Sequence, residues 1–199
     1  MKISLPVVAS LALRSTIAAA FAYGVAHPDL PQLHEPATRA RMLAWPIGLL
    51  AVPFILRAAS RRGAYPWTVD ALLALPFALD ACGNVLDLYN AWPGYDTMNH
   101  GISWFGLTLL VSRLRVLDGL PAWGRAWIVL GSGALAAILW ELGEYAAFIH
   151  SSHFTRSAYT DTLTDLLAGS TGAVAAAALV LVVAYRPLGR LAGAALASR

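Results

Sequence analysis

Three pairs of ionisable residues recur at helical spacing in otherwise apolar stretches. Asp96 and His100 are four residues apart, Glu141 and Glu144 three, Asp161 and Asp165 four. Either interval puts both side chains on one face of a helix. Asp80, Asn84 and Asp87 repeat the pattern at i, i+4 and i+7. Carboxylates with an imidazole suit Mg, Mn, Fe or Zn better than copper. They are equally the groups that carry protons or ions through membranes. There is no His-Glu-x-x-His motif, and His100 alone of the histidines falls within a helix, so a bis-His haem lacks its second ligand. Carboxylates gathered from four helices cannot all stay ionised without positive charge beside them. The nearby supply is His100, His150 or His153, and Arg156. Three chemistries therefore stand open: protonated carboxylates, a bound divalent metal, or a cationic ligand.

The elements that carry these residues are membrane helices. Hydrophobic side chains make up 58% of the 199 residues and charged ones 13%, about half the charge of a soluble domain. Mean hydropathy is +0.62. A soluble enzyme, a disordered chain and a DNA-binding domain are excluded on that balance, and no nucleic-acid partner is expected. The single Cys82 rules out a disulfide framework and a cysteine zinc site. No stretch alternates with period two, which argues against a β-barrel. Six stretches approach the roughly 20 apolar residues of a membrane helix: 4–25, 42–59, 67–89, 95–116, 123–149 and 160–185. The expected fold is all-α, one polytopic membrane domain over residues 1–199. Arg14 splits the first stretch, so it reads as a retained helix rather than a signal peptide.

Basic residues set the orientation. With the N-terminus in the cytoplasm, Lys2, Arg57, Arg61, Arg62, Arg113, Arg115, Arg125, Arg186, Arg190 and Arg199 lie inside; only Arg39, Arg41 and Arg156 lie outside. All the paired polar residues then fall at the outer ends of helices 3 to 6. His150 and His153 connect the last two helices, and His27, Asp29, His34 and Glu35 occupy the outer loop above. The inner half holds only Asp70 and Arg14. Helices 1 and 2 are expected to pack outside as support. Gly131, Ser132 and Gly133 in helix 5, with Gly169, Ser170 and Gly172 in helix 6, mark close helix contacts; Ser132 has no His or Asp at its depth and is no nucleophile. Trp67, Trp92, Tyr95, Trp123 and Tyr159 flank the spans, where aromatic rings settle at headgroup depth.

The segments Tyr95-Asp96-Thr97-Met98-Asn99-His100, Trp140-Glu141-Leu142-Gly143-Glu144 and Asp161-Thr162-Leu163-Thr164-Asp165 resemble the signature of the YjdF-like bacterial inner-membrane family. A more distant similarity connects them to the VanZ-like family associated with glycopeptide resistance, although Tyr145 or a neighbour stands where that family has Gln. The resemblance covers about residues 75–185. It implies a multi-pass inner-membrane location and a polar signature of Asp96, His100, Glu141, Glu144, Asp161 and Asp165, and it supplies no reaction or substrate.

Three functions compete. In the first, Asp96, His100, Glu141, Glu144 and Asp165 hold one or two divalent metals that activate water. Asp161 or His153 then shuttles protons, and the enzyme acts on a lipid-linked or amphiphilic substrate at the outer leaflet. In the second, the same groups carry protons or cations in a transporter; polar residues crowded at one end fit this less well. In the third, the cluster only ties helices together, although such pairs contribute about 0.6 kcal/mol on average. The ten-to-three basic bias predicts that both termini face the cytoplasm. Reporters fused to either end should be active only on the cytoplasmic side, and outward activity would reverse the topology.

Overall fold

The computed structural model describes residues 4–34, 36–60, 63–146 and 156–197. Lys2, Glu35, the Arg61-Arg62 turn, His150, His153 and Arg199 lie outside the described residues. Helix α1, Leu5–Ala26, starts with Pro6 in its first turn, where a missing N–H costs nothing. α2, Pro36–Pro46, runs through a wide turn at Ile47–Ala51 into α3, Val52–Ser60. α4 is Trp67–Val85, α5 the short Leu88–Ala91, and α6 Tyr95–Val111. α7, Ala122–Glu144, and α8, Arg156–Ala197, complete an all-α membrane bundle. Five stretches are long and apolar enough to cross a bilayer: Leu5–Ala26, Arg41–Ser60, Trp67–Val85, Ala122–Glu144 and Tyr159–Tyr185. The expected fourth span is α6, shorter at 17 residues and polar at its start.

α6 is the centre of the bundle, packed against α4, α7 and α8, while α1 lies along α4. One core joins α1, α2 and α4 through Ile17, Trp45, Ala74, Ala78 and Ala81. A second joins α7 and α8 through Val129 and Ala176, with Phe105 and Leu109 of α6 against it. Small residues set the separations. A Cβ on Gly172 would run into the Gly101 carbonyl of α6, and one on Gly133 into Thr108 and Ala173. Gly131, by contrast, faces open space and is not a packing residue. Leu43, Leu50, Phe54, Trp127, Leu139 and Leu167 are exposed, the outward apolar surface that lipid would cover.

Three expectations need correction. α4 ends at Val85, and Asp87 stands beyond it in the left-handed region at φ 57°, bonded by Asn90. Asp87 therefore does not continue the Asp80–Asn84 face. Tyr95 is buried, not a boundary residue: its hydroxyl donates to the Leu79 carbonyl across the α4–α6 contact. Trp92, Trp123 and Tyr159 are exposed. Finally, α2 is more than support, because its side chains enter the polar site described below.

Arg14 and Asp70 form a closed polar tie between α1 and α4. Arg14 donates from Nε and Nη2 to both Asp70 oxygens, with Nε–Oδ2 at 2.9 Å. Ser10 and Tyr65 donate to the same carboxylate, the latter at 2.7 Å. Arg14 Nη1 also donates to the carbonyls of Gly48 and Leu49, at 2.9 and 2.7 Å. Those carbonyls need it. Pro53 has no N–H to return to either, and Val52 bonds back to Ile47 across the wide turn. Burial and the adjacent Asp70 push the Tyr65 phenol up to about 12. Asp70 is fully buried, so removing its cation alone leaves an uncompensated charge. Arg14→Met should cost about 3–5 kcal/mol. The Arg14→Met/Asp70→Leu pair should recover part of that, the Gly48 and Leu49 carbonyls still lacking their donor. Unfolding in mild detergent measures both, and a double variant no better than the single one would show that the pair is not the tie.

Candidate functional site

His100 sits one turn into α6 and faces α7 and α8. Its Nδ1 lies 3.6 Å from Glu141 Oε1; its Nε2 lies 3.6 Å from Asp96 Oδ1 and 3.9 Å from Asp165 Oδ2. All three separations exceed a hydrogen bond. The side chains of His100, Glu141 and Asp165 are only 10%, 8% and 4% exposed. His100 Nδ1 and Asp165 Oδ1 are buried without a hydrogen-bond partner. Such groups are normally satisfied, and here two of them point into one cluster.

The cluster has two overlapping halves that share the imidazole. Asp96, His100 and Asp165 can offer ligand atoms within 4.8 Å of one another, and so can His100, Glu141 and Glu144. Ligands about 2.1 Å from a tetrahedral metal lie about 3.4 Å apart. The imidazole nitrogens lie 3.6–3.9 Å from the nearest oxygens of Asp96, Glu141 and Asp165, and the ligand atoms of each half lie within 4.8 Å of one another. Helix geometry explains the assembly. Asp96 and His100 share one face of α6, Glu141 and Glu144 one face of α7, and the Gly101–Gly172 contact draws α8 close enough for Asp165 to reach. Asp161, one turn before Asp165, is exposed and belongs to neither half.

Asp80 anchors a neighbouring network rather than the His100 cluster. Trp45 Nε1 donates to its Oδ2 at 2.7 Å, and Tyr89 and Asn84 donate to its Oδ1 at 3.2 and 3.1 Å. Thr38 of α2 donates to Asn84. Asn99 of α6 donates to the Tyr89 hydroxyl at 2.8 Å, and Ser103 donates to Asn99 at 2.9 Å. Burial first, and then the Asp80 charge, raise the Tyr89 phenol above its ordinary range, so it stays a donor. Arg41 of α2 joins the two networks, with Nη1 3.7 Å from Asp80 Oδ1 and Nη2 donating to Glu144 at 3.1 Å. Its guanidinium stands 5.8 Å from the Tyr89 ring centre.

Arg41, Trp45, Tyr89, Asn99 and Ser103 are the participants that spacing did not reveal. Arg41 and Trp45 are themselves an i, i+4 pair at the head of the second span. That pair is the signal the sequence carries for them, beside the place of Arg41 among the outer basic residues.

Residues 9–186 match the model of a family described as predicted membrane protein, DUF2238. No curated protein and no solved structure matches the chain.

Arg41 is the one permanent cation seen against these carboxylates among the described residues. Arg41→Met should therefore lower stability by about 1–3 kcal/mol, and Glu144→Gln in the same chain should return part of it. Thermal unfolding of the two singles and the double would read the coupling; strictly additive losses would mean that Arg41 does not balance Glu144.

Proposed function

The chain belongs to the DUF2238 family of predicted membrane proteins, and we propose that it is a metal-dependent membrane enzyme acting on a lipid-linked or amphiphilic substrate. The observation that carries this reading is the shared imidazole with unpartnered, buried His100 Nδ1 and Asp165 Oδ1. His100, Glu141, Glu144 and Asp165 are the metal ligands in this proposal, with Asp96 serving the second half of the cluster. A divalent ion held by these residues would act as a Lewis acid and activate water near neutral pH. Asp161, exposed beside Asp165, is placed to pass the released proton to solvent. The site faces the outside of a bacterial inner membrane if the basic bias sets the orientation. The YjdF-like and, more distantly, VanZ-like resemblance agrees with that location.

A proton- or cation-coupled transporter is the second reading. The chain of donors from Ser103 through Asn99 and Tyr89 to Asp80 favours it. Against it stands the other end of α4, about 15 Å away by helix rise. There Asp70 is held by Ser10, Arg14 and Tyr65, a closed tie rather than a path. A purely structural cluster is the weakest account, since a half-satisfied polar network is worse than an apolar core.

Metal analysis of the protein purified in mild detergent tests the first reading. One or two divalent ions per chain are expected in the wild type and none in His100→Ala or Glu141→Ala. A metal-free wild-type protein that carries protons in vesicles would transfer the assignment to the transporter.

A further inference from the structure

The two nitrogens of His100 face different company. Nδ1 looks to Glu141 of α7 at 3.6 Å and is buried without a hydrogen-bond partner. Nε2 lies 3.6 Å from Asp96, four residues back on its own helix, and 3.9 Å from Asp165 of α8. The carboxylates differ as well. The side chains of Glu141 and Asp165 are buried, whereas that of Asp96 is 37% exposed. Asp165 Oδ1 is, like His100 Nδ1, a buried atom without a partner. A neutral imidazole carries one N–H, and its other nitrogen offers a lone pair to a metal.

We propose that Asp96 is a positioning residue for a single ion: it accepts the Nε2–H of His100, so that Nδ1 turns its lone pair to a divalent metal held with Glu141, Glu144 and Asp165. This rests on the proposed function and divides the residues of that site between two tasks. Histidines that ligate metals commonly donate their second N–H to a carboxylate, which fixes the tautomer and the ring orientation. Asp96 suits that task because α6 itself sets the spacing. Side-chain rotation that shortens the 3.6 Å separation to about 3.0 Å closes the bond without moving a helix. Its exposure also leaves its charge partly hydrated, a relief that the buried Glu141 and Asp165 lack. The charges balance around one ion. Glu141, Glu144 and Asp165 carry three negative charges when ionised; a divalent ion and Arg41, which donates to Glu144, carry three positive. A second ion finds no deficit to fill, and the Nε2 proton occupies its place.

The full-length protein in mild detergent, carrying isotope-labelled histidine for nitrogen NMR and stripped of metal, provides the test. His100 is identified by the signal lost in His100→Gln, and it should show a protonated Nε2 and a bare Nδ1. Asp96→Ala should mix the two tautomers and weaken zinc binding about 10- to 100-fold, with one ion per chain still reached at saturating zinc. Asp96→Asn keeps a carbonyl acceptor for the Nε2–H and should recover part of that loss. A merely structural role for Asp96 would move neither the tautomer nor the zinc affinity of the folded chain. A wild-type His100 protonated on Nδ1 would overturn the inference even if Asp96→Ala failed to fold. Two zinc ions per chain, or an unchanged affinity in Asp96→Ala, would do the same. The two ideas fail separately. An Nε2–H tautomer set by Asp96 in a protein that takes up no zinc removes the metal reading, whereas zinc uptake with a tautomer indifferent to Asp96 removes only this inference.

Discussion

A charge inside hydrocarbon must be matched by something within reach, because no water is present to screen it. The two polar regions of this bundle answer that constraint in opposite ways. At Asp70 the answer is complete: one carboxylate, one guanidinium, two hydroxyls, and two carbonyls freed by Pro53. At His100 it is incomplete. Asp96, Glu141, Glu144 and Asp165 surround an imidazole that forms no hydrogen bond through Nδ1, with Arg41 reaching only Glu144 and Asp80. The two networks thus differ in kind: the Asp70 carboxylate is met on both oxygens, whereas His100 Nδ1 and Asp165 Oδ1 are buried without a hydrogen-bond partner.

The cluster is bounded by rigid surroundings. The Asp80 network supplies them from one side through Trp45, Asn84, Tyr89 and Asn99. The Gly101–Gly172 and Gly133–Thr108 contacts supply them from the other, where backbone approach substitutes for side-chain packing. α6 belongs to both sides, which is why its residues dominate the site.

Much of this was legible in the sequence, for definite reasons. Apolar runs of membrane length predicted six spans, and five of them coincide with helices long and apolar enough to cross a bilayer. The pairs Asp96–His100 and Glu141–Glu144 were readable because a helix keeps its period wherever it packs. Asp87 misled because its i+7 spacing assumed a helix that in fact stops at Val85. Asp161 shares its spacing with Asp165, but one turn of α8 carries its side chain from the buried seam to the exposed rim. The role of Arg41 depended on how α2 docks beside α7, a long-range contact without a local pattern. The wide turn at Ile47–Ala51 had a visible cause in Pro53, but nothing local indicated that Arg14 would satisfy the freed carbonyls.

The shortness of α6 has a consequence of its own. Seventeen residues rise about 25 Å, against roughly 30 Å of hydrocarbon. α6 is not one of the helices long and apolar enough to cross a bilayer unaided, and it packs against α4, α7 and α8. Its polar first turns, which carry Asp96 and His100, are thus taken up by neighbouring helices rather than by lipid.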